Sequence, residues 1–213
     1  MVYLEENTPF PDVSLADEDG LLALGGKLSP ERLMNAYRQG IFPWFSDNQP
    51  VLWWSPDPRM VLFPEKFKVS KSLRQKLKNN PFEITLNTAF AEVIKQCAHT
   101  TRKKETGTWI TWSMQEAYLE LHRLGHATSV EVWEEENLVG GLYGIDIQDK
   151  KIFCGESMFH LVRDASKIAF YNLVQKLKEN NYLLIDCQVY TRHLESMGAE
   201  EISRETFVSF LTK

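Results

Sequence analysis

The fold is decided by residues 129–158, which read SVEVWEEENLVGGLYGIDIQDKKIFCGESM. Three segments rich in β-branched and aromatic residues are separated by polar turns at 135–137 and 148–150. Apolar and polar residues alternate in the first segment with a period of two, which is the period of a β-strand. The stretch therefore predicts three consecutive antiparallel strands.

The segments on either side extend this pattern into a mixed fold. Before the three strands, residues 82–86 alternate as a strand, and residues 88–97 and 114–124 have helical character. After them come a helix to about residue 179, a buried strand at 182–189, a short helix, a short strand near Glu201 and a final helix capped by Ser203. This order resembles that of GNAT acyltransferases, so we expect an α+β domain with a central mixed sheet.

The first 64 residues differ in character from the rest of the chain. Ser29 and Pro30 are a favourable cap and first position for a helix, and Gly40 suits its end. Residues 41–64 are rich in prolines, which argues against a regular helix or a central strand there. We therefore predict a small N-terminal domain over residues 1–57 and a GNAT-like domain over residues 58–213.

Composition and charge narrow the class of protein. The chain has 213 residues, is 43% hydrophobic and carries a formal net charge of −5, so a nucleic-acid surface would have to be a local patch. Its three cysteines form no CxxC pair, and its histidines show no metal-ligand spacing, so neither a metal nor a disulfide is expected. The start of the chain does not resemble a signal peptide, and we expect a cytoplasmic protein.

One segment does concentrate positive charge. Six basic residues lie within residues 66–78, and Arg102-Lys103-Lys104 follows later. The six are Lys66, Lys68, Lys71, Arg74, Lys76 and Lys78. Such a patch can bind phosphates in a salt-dependent way. The alternative is an ordinary solvated helix face.

Polar residues in two apolar segments mark a candidate site. Strand alternation over residues 153–159 would put Glu156 and Met158 on one face with Cys154. The same alternation over residues 184–188 would put Asp186 and Gln188 on one face. Because an ionisable group in an apolar strand is costly unless it is paired or functional, we expect these groups to meet in one cleft. A structural carboxylate that pairs with an arginine is the alternative.

The absence of one motif indicates which kind of acyl donor the predicted fold would use. CoA-dependent GNAT enzymes carry a glycine-rich pyrophosphate loop before the helix that follows their fourth strand. Residues 160–166 occupy that place here and contain no glycine. A backbone cradle for pyrophosphate is therefore not predicted, and we expect a donor other than CoA and no cofactor.

The motifs together resemble the bacterial leucyl/phenylalanyl-tRNA–protein transferase family. The matching segments are residues 21–26, 40–45, 53–59, 107–111, 138–144, 153–159, 165–167 and 184–188. They cover nearly the whole chain in the family's order. The resemblance implies transfer of Leu or Phe, and less readily Met, from aminoacyl-tRNA to the N-terminal amine of proteins beginning with Lys or Arg. The product would enter N-degron degradation.

The resemblance also implies roles for individual residues. The apolar pocket for the donor side chain maps onto Leu142, Phe153, Met158 and Ile185. Glu156 matches the residue that holds the donor α-amine, and Asp186 and Gln188 match the catalytic pair at the acceptor amine. Trp44 and Trp109 match residues around the terminal adenosine, where aromatic faces can stack on a base. Proton removal by Asp186 and proton relay by the tRNA's own hydroxyl both remain open.

Two other functions remain possible at this stage. One is a CoA-dependent N-acetyltransferase on the same fold. The other is a non-catalytic module that binds charged tRNA without consuming its ester.

Overall fold

The computed structural model describes residues 2–79, 81–100 and 109–212. The strands are β1 Val2–Leu4, β2 Leu21–Gly25, β3 Phe42–Pro43, β4 Leu52–Trp54, β5 Arg59–Leu62, β6 Glu83–Leu86, β7 Ala127–Glu134, β8 Asn137–Ile147, β9 Ile152–His160, β10 Leu184–Gln188 and β11 Glu200–Ile202. The helices are α1 Pro30–Tyr37, α2 Lys71–Lys78, α3 Phe90–His99, α4 Trp112–Arg123, α5 Ala165–Glu179, α6 Arg192–Ser196 and α7 Arg204–Thr212. No helix within the described ranges has the length and apolar character needed to cross a membrane.

The larger sheet has seven strands in the order β11-β5-β10-β9-β8-β7-β6. The three strands β7, β8 and β9 form the predicted antiparallel meander. Strand β10 lies parallel to β9 and antiparallel to β5. The sheet is therefore mixed, and the prediction of an α+β fold around a central mixed sheet is confirmed.

Strand β5 corrects one expectation. The prolines around it argued against a central strand, yet β5 pairs with β10 on one side and with β11 on the other. The prolines lie at positions 56, 58 and 64, just outside the paired residues 59–62. The strand can be central because a proline removes ladder hydrogen bonds only at the position that it occupies.

The smaller sheet, in the order β1-β2-β4-β3, is formed by the N-terminal residues. Trp53 is fully buried there, and its indole N–H donates to the carbonyl oxygen of Gly25 at 2.9 Å. Helix α1 begins as predicted, with the Ser29 hydroxyl accepting from the Arg32 N–H and Pro30 in the first turn. Helix α4 is capped by Thr111, whose hydroxyl accepts from the Met114 N–H. The domain boundary near residue 57 stays a prediction.

The helices cover both faces of the larger sheet. Helix α5 packs on β7, β8 and β9 and contacts α2, so these two helices lie on one face. Helices α3 and α4 pack against strands on the opposite face, where α1 of the N-terminal region contacts α4. The N-terminal region therefore builds part of the environment of the central strands.

Candidate active site

A cavity of about 430 Å³ lies beside the point where β9 and β10 separate. The last paired residues of these strands are Cys154 and Asp186, and β9 continues beyond them to His160. The cavity is lined by residues from both faces of the sheet: Phe42, Pro43, Trp44, Trp109, Leu142, Tyr143, Phe153, Gly155, Glu156, Ser157, Met158, Phe170, Leu173, Ile185, Cys187, Gln188, Val189, Thr191, His193 and Leu194. All the predicted donor-side and catalytic residues line it except Asp186.

A bulge in β9 explains how one pocket collects its apolar wall. Phe153 and Met158 are five positions apart, so strict alternation would place them on opposite faces. The pairing of β8 with β9 shifts here: Tyr143 pairs with Ser157, and the next residue, Gly144, pairs with Gly155. Glu156 is the extra residue, and it changes the face on which the following side chains lie. Cys154 therefore packs with the core of the opposite face, contrary to the expectation that it shares a face with Met158.

The apolar part of the cavity faces helix α5. Leu142, Phe153, Met158 and Ile185 belong to one hydrophobic cluster, to which α5 adds Phe170 and Leu173. Such a surface suits an unbranched or aromatic apolar side chain. The geometry brings the predicted pocket together, while its role as the donor pocket stays a prediction.

Glu156 is the polar centre of the cavity and is 9% exposed. Its carboxylate accepts from the Tyr37 hydroxyl at 2.7 Å, from the Tyr118 hydroxyl at 3.0 Å and from the Gln188 side-chain amide at 2.9 Å. Burial raises the pKa of Glu156 to about 7, although these three donors act in the opposite direction. The group therefore carries its proton for a substantial fraction of the time at neutral pH.

A count of hydrogens agrees with that protonation. The Tyr37 and Tyr118 hydroxyls also contact each other, so three oxygen–oxygen contacts form a ring with the carboxyl group. Burial keeps the pKa of both tyrosines well above the ordinary value, so each contributes one hydrogen. When both tyrosines donate to an ionised Glu156, the contact between their hydroxyls has no hydrogen. In a protonated Glu156 the carboxyl O–H donates to one tyrosine, which then donates to the other.

Tyr37 and Tyr118 were not singled out from the sequence. Each lies on a helix among apolar residues, where a tyrosine is most simply interpreted as core. Their hydroxyl groups meet Glu156 only because α1 and α4 pack together beside the larger sheet. No local pattern signals a contact between residues 37, 118 and 156.

Gln188 lies in the cavity, but not for the reason expected. Its φ is +65°, and the pairing of β10 with β5 shifts between Asp186 and Gln188. The regular alternation therefore ends at Asp186, and the two side chains do not share a face. The amide nitrogen of Gln188 donates to Glu156, and the amide oxygen accepts no hydrogen bond from any residue within the described ranges.

Asp186 lies behind the cavity wall and is 1% exposed. Arg59 holds it with two hydrogen bonds, of 2.8 Å from Nε and 2.7 Å from Nη2. Its Oδ1 also accepts the main-chain N–H of Gln188 at 2.9 Å. Pairing with an arginine was the alternative foreseen for a buried carboxylate. Asp186 therefore does not line the cavity, and its hydrogen bond to the Gln188 main chain links it to a residue that does.

The two predicted stacking residues lie on the side of the cavity away from α5. Trp44 is 41% exposed, and its ring centroid lies 5.7 Å from that of Trp54. Trp109 is partly buried against the core of that face. Both line the cavity, as a base-stacking role would require, and that role stays a prediction.

The basic segment is only partly helical. Lys66 precedes α2 and pairs with Glu200 at 2.5 Å, and Lys76 pairs with Asp164 at 3.1 Å. Lys71 and Arg74 are exposed on α2 and form no ion pair with any residue that the structure describes. Arg102-Lys103-Lys104 lies outside the described residues. The described parts of the chain contain no group of three potential metal ligands.

Comparison with known proteins relates this chain to one family. A family model described as leucyl/phenylalanyl-tRNA protein transferase matches residues 61–212, and the model of its N-terminal domain matches residues 26–57. The leucyl/phenylalanyl-tRNA–protein transferase of Christiangramia forsetii is 57% identical over 99% of this chain and 100% of its own length. The one from Flavobacterium johnsoniae is 56% identical over 99% of both chains.

The comparison with solved structures includes more distant proteins. A GCN5-related N-acetyltransferase from Kribbella flavida is 10% identical, with a TM-score of 0.43 over 80% of this chain and 60% of that one. Likeness at that level has no bearing on function. The family models and the full-length relatives are sufficient by themselves: this chain belongs to the leucyl/phenylalanyl-tRNA–protein transferase family of aminoacyltransferases.

Proposed function

We propose that this enzyme transfers Leu or Phe, and less readily Met, from aminoacyl-tRNA to the N-terminal α-amine of proteins that begin with Lys or Arg. The observation that carries the proposal is a single cavity in which an apolar pocket adjoins the carboxyl group of Glu156 and the amide of Gln188. The preference for Lys and Arg acceptors and the entry of the product into N-degron degradation follow from the family resemblance. The reaction uses an ester that is already activated, so we propose no cofactor, and we place the enzyme in the cytoplasm, where charged tRNA is found.

Glu156 is well suited to hold the donor's α-amine. A carboxylate has about four acceptor positions, and Tyr37, Tyr118 and Gln188 occupy three of them. Glu156 lines the same cavity as the apolar residues, so a ligand there can reach its remaining acceptor position. An ammonium group bound there would leave the donor's side chain directed into the apolar pocket and its ester close to Gln188.

Trp44 and Trp109 would bind the nucleotide end of the donor. Their indole rings line the same cavity, and an unpaired adenine can stack on such rings for roughly 1–3 kcal/mol per base. The ester bond would then be held between the adenosine on one side and the side-chain pocket on the other. Holding the ester in this way would supply much of the rate acceleration, because the reacting groups are already oriented.

The chemical step needs a deprotonated acceptor amine. Its nitrogen attacks the ester carbonyl carbon, an amide bond forms, the ester C–O bond breaks, and the tRNA leaves with a hydroxyl that takes up a proton. The amide oxygen of Gln188 accepts a hydrogen bond from the attacking amine and orients it. Proton transfer through the tRNA's own hydroxyl requires no exposed base, which suits the buried position of Asp186.

Asp186 acts in this scheme through Gln188. Its Oδ1 accepts the Gln188 main-chain N–H, which fixes the left-handed turn that points the amide into the cavity. Asp186 is therefore a positioning residue in our proposal. An Asp186→Asn variant, which retains Oδ1 as an acceptor, should keep more turnover than Asp186→Ala if the residue positions Gln188, and no more if it removes the proton.

The decisive experiment is incubation with labelled Phe-tRNA and a peptide that begins with Arg, followed by mass measurement of the peptide. The expected result is a peptide heavier by one phenylalanine residue, and no change in a matched peptide with an acetylated N-terminus. Transfer of acetyl from acetyl-CoA would support the N-acetyltransferase alternative. Binding of the charged tRNA without loss of its ester would support the non-catalytic module.

A donor panel tests the pocket in the same assay. Leu142, Phe153 and Met158 leave a pocket that we expect to accept Leu, Phe and Met better than the β-branched Ile and Val. Apolar pockets discriminate by about 1–3 kcal/mol per methylene, so selection should be graded rather than absolute. Equal transfer from Ile-tRNA and Leu-tRNA would remove this pocket from the donor site.

The basic face of α2 is proposed to dock the tRNA body. The basic segment includes the exposed Lys71 and Arg74, and phosphate contacts position a nucleic acid without reading its sequence. A Lys71→Ala/Arg74→Ala variant should weaken Leu-tRNA and Phe-tRNA equally. In this variant, the slope of the logarithm of the tRNA binding constant against the logarithm of the salt concentration should be flatter. The slope should change by roughly 0.7–0.9 for each phosphate that is no longer neutralised. Full tRNA affinity in this variant would leave α2 as a solvated face.

A further inference from the structure

A second cavity, of about 410 Å³, lies at the start of helix α5, outside the proposed donor pocket. It is lined by His160, Arg163, Asp164, Ser166, Lys167 and His193. His193 also lines the first cavity, so the two cavities share a wall. A ligand that extends out of the first cavity past His193 reaches the second one.

The charges around the second cavity are mainly positive. Arg163 and Lys167 line it, and Lys76 of α2 reaches it by donating to the Arg163 carbonyl at 3.0 Å and pairing with Asp164 at 3.1 Å. Asp164 supplies one negative charge, which is shared among Lys76, Lys167 and Arg163 at 3.1, 3.0 and 3.6 Å. Three cations against one carboxylate leave two positive charges for a ligand.

Further hydrogen-bonding side chains complete the lining. The imidazoles of His160 and His193 are exposed, and the buried Ser166 hydroxyl lies 3.5 Å from His160 Nδ1. Partial burial, together with the charge of Lys167, lowers the pKa of His193. A site with two spare positive charges and several N–H or O–H groups matches a singly charged phosphodiester.

We propose that the second cavity binds a backbone phosphodiester of the donor's single-stranded 3′ end, immediately upstream of the aminoacyl adenosine. This inference rests on the proposed function, which places the adenosine in the first cavity. His193 lines both cavities, so a chain of nucleotides that leaves the first cavity past His193 enters the second. Lys76 then connects the second cavity to α2, so the positive charges form one path from the adenosine towards the tRNA body.

Three donors of increasing length separate this site from the others. Aminoacyl-adenosine has no phosphodiester, an aminoacylated trinucleotide has two, and the whole aminoacyl-tRNA also reaches α2. The variant is Arg163→Gln/Lys167→Gln, and the matched control is Lys176→Gln, an exposed lysine at the far end of the same helix. Steady-state transfer to an Arg-peptide is measured with each donor. Thermal unfolding of both variants shows whether they are folded.

The double variant should raise KM for the trinucleotide donor about tenfold, because charge-assisted hydrogen bonds to the phosphodiester are removed. Transfer from aminoacyl-adenosine should be unchanged, and the control should match the parent with every donor. The dependence of the trinucleotide's affinity on salt concentration should also become weaker. On a log–log plot, the magnitude of its slope should decrease by roughly 0.7 for each phosphate that is no longer neutralised. An unchanged trinucleotide KM, or equal losses with the trinucleotide and with aminoacyl-adenosine, would overturn the proposal.

A second variant, which should strengthen binding of the trinucleotide, tests whether the effect of the first variant is direct. Asp164 has a φ of +70°, a conformation that asparagine tolerates, so Asp164→Asn should fold. Removing its charge frees Lys76 and Lys167, and the trinucleotide KM should fall severalfold with a steeper salt slope. A higher KM for the trinucleotide donor in this variant would contradict the proposal. Wild-type transfer from aminoacyl-adenosine tests the proposed function separately, because that donor does not reach the second cavity.

Discussion

The surroundings of Glu156 and Asp186 differ more than the similar burial of the two carboxyl groups would suggest. Asp186 faces the guanidinium of Arg59, which lies between the rings of Phe42 and Phe207 at 4.8 and 4.6 Å from their centroids. Within residues 2–79, 81–100 and 109–212, the hydrogen-bond donors to Glu156 are neutral: two tyrosine hydroxyls and one amide. One carboxyl group has an arginine as its counter-charge, and the other has no basic partner among these described residues.

This difference assigns the two groups to separate tasks. A carboxylate that is already paired and enclosed adds rigidity, because both of its oxygens are engaged by the protein. A carboxyl group with neutral partners and a pKa of about 7 responds to an approaching cation. Interaction with a substrate amine is therefore expected at Glu156 and not at Asp186.

Breaking the Arg59–Asp186 pair should have the largest effect on stability. Asp186→Ala leaves the Arg59 guanidinium buried without its partner, and such losses cost about 3–5 kcal/mol. Turnover should fall strongly as well, because Gln188 loses its main-chain anchor, while tRNA affinity should change little. Urea unfolding and single-turnover transfer measure the two effects.

The control for this variant removes both partners. Arg59→Leu/Asp186→Leu has no unpaired charge, so its free energy of unfolding should exceed that of Asp186→Ala. Turnover should remain low in both variants. If Asp186→Ala is as stable as the parent, the buried pair does not have this structural role.

The free energy of unfolding should depend on pH through Glu156. The folded pKa of about 7 lies above the unfolded value of about 4.3, so the contribution of this group is fully present below about pH 4.3. It is lost as pH rises through 7, by on the order of 4 kcal/mol in all. Subtracting the pH profile of Glu156→Gln, which does not titrate there, should isolate this loss. Parallel profiles would mean that the side chain is already ionised well below pH 7.

Substrate binding should depend on the charge that Glu156 can adopt. In Glu156→Gln the donor amine meets an amide instead of a carboxylate, and a charge-assisted hydrogen bond is worth about 1.5–3 kcal/mol. We expect kcat/KM for aminoacyl-adenosine to fall roughly 10- to 100-fold. Glu131→Gln is the matched control, because Glu131 is a buried carboxylate that Ser129 and Thr85 hold away from the cavity. It should lose stability and keep its donor kinetics.

Removal of the tyrosine hydroxyl groups that contact Glu156 should have the smallest effect, which is a shift in the pH dependence of stability. Tyr37→Phe and Tyr118→Phe each remove one donor that lowers the pKa of Glu156, so each should raise that pKa further, by roughly one unit. The pH at which stability declines would shift upwards in both variants. Tyr171→Phe, on the outer side of α5 beside Phe67, provides the control. Unshifted profiles would exclude the tyrosines from the ring.

The parts of the fold that follow local rules were predictable from the sequence. The meander at 129–158 and the cap of α1 at Ser29 depend on strand alternation and on hydrogen bonds between residues close in sequence. The central position of β5 was not predictable, because pairing with β10 and β11 involves residues more than a hundred positions away.

The same limit applies to the site. The apolar pocket, Glu156 and Gln188 were found from motifs, but alternation failed at both bulges, and each bulge adds one residue that no composition signal marks. The separation of Asp186 from the cavity follows from that shift and from the distant Arg59. The contribution of Tyr37 and Tyr118 depends on how helices pack, which single-sequence patterns do not specify.

The hydrogen bonds to Glu156 come from positions 37, 118 and 188. During synthesis, Tyr37 leaves the ribosome long before Gln188, so this set of hydrogen bonds can form in full only when the chain is nearly complete. Contacts between positions so far apart form late in folding. A truncated or half-folded copy would have a hydrophobic sheet without a working centre. The enzyme's capacity to consume aminoacyl esters thus arises only with the finished molecule, and an early stop codon should yield an inert fragment rather than an uncontrolled esterase.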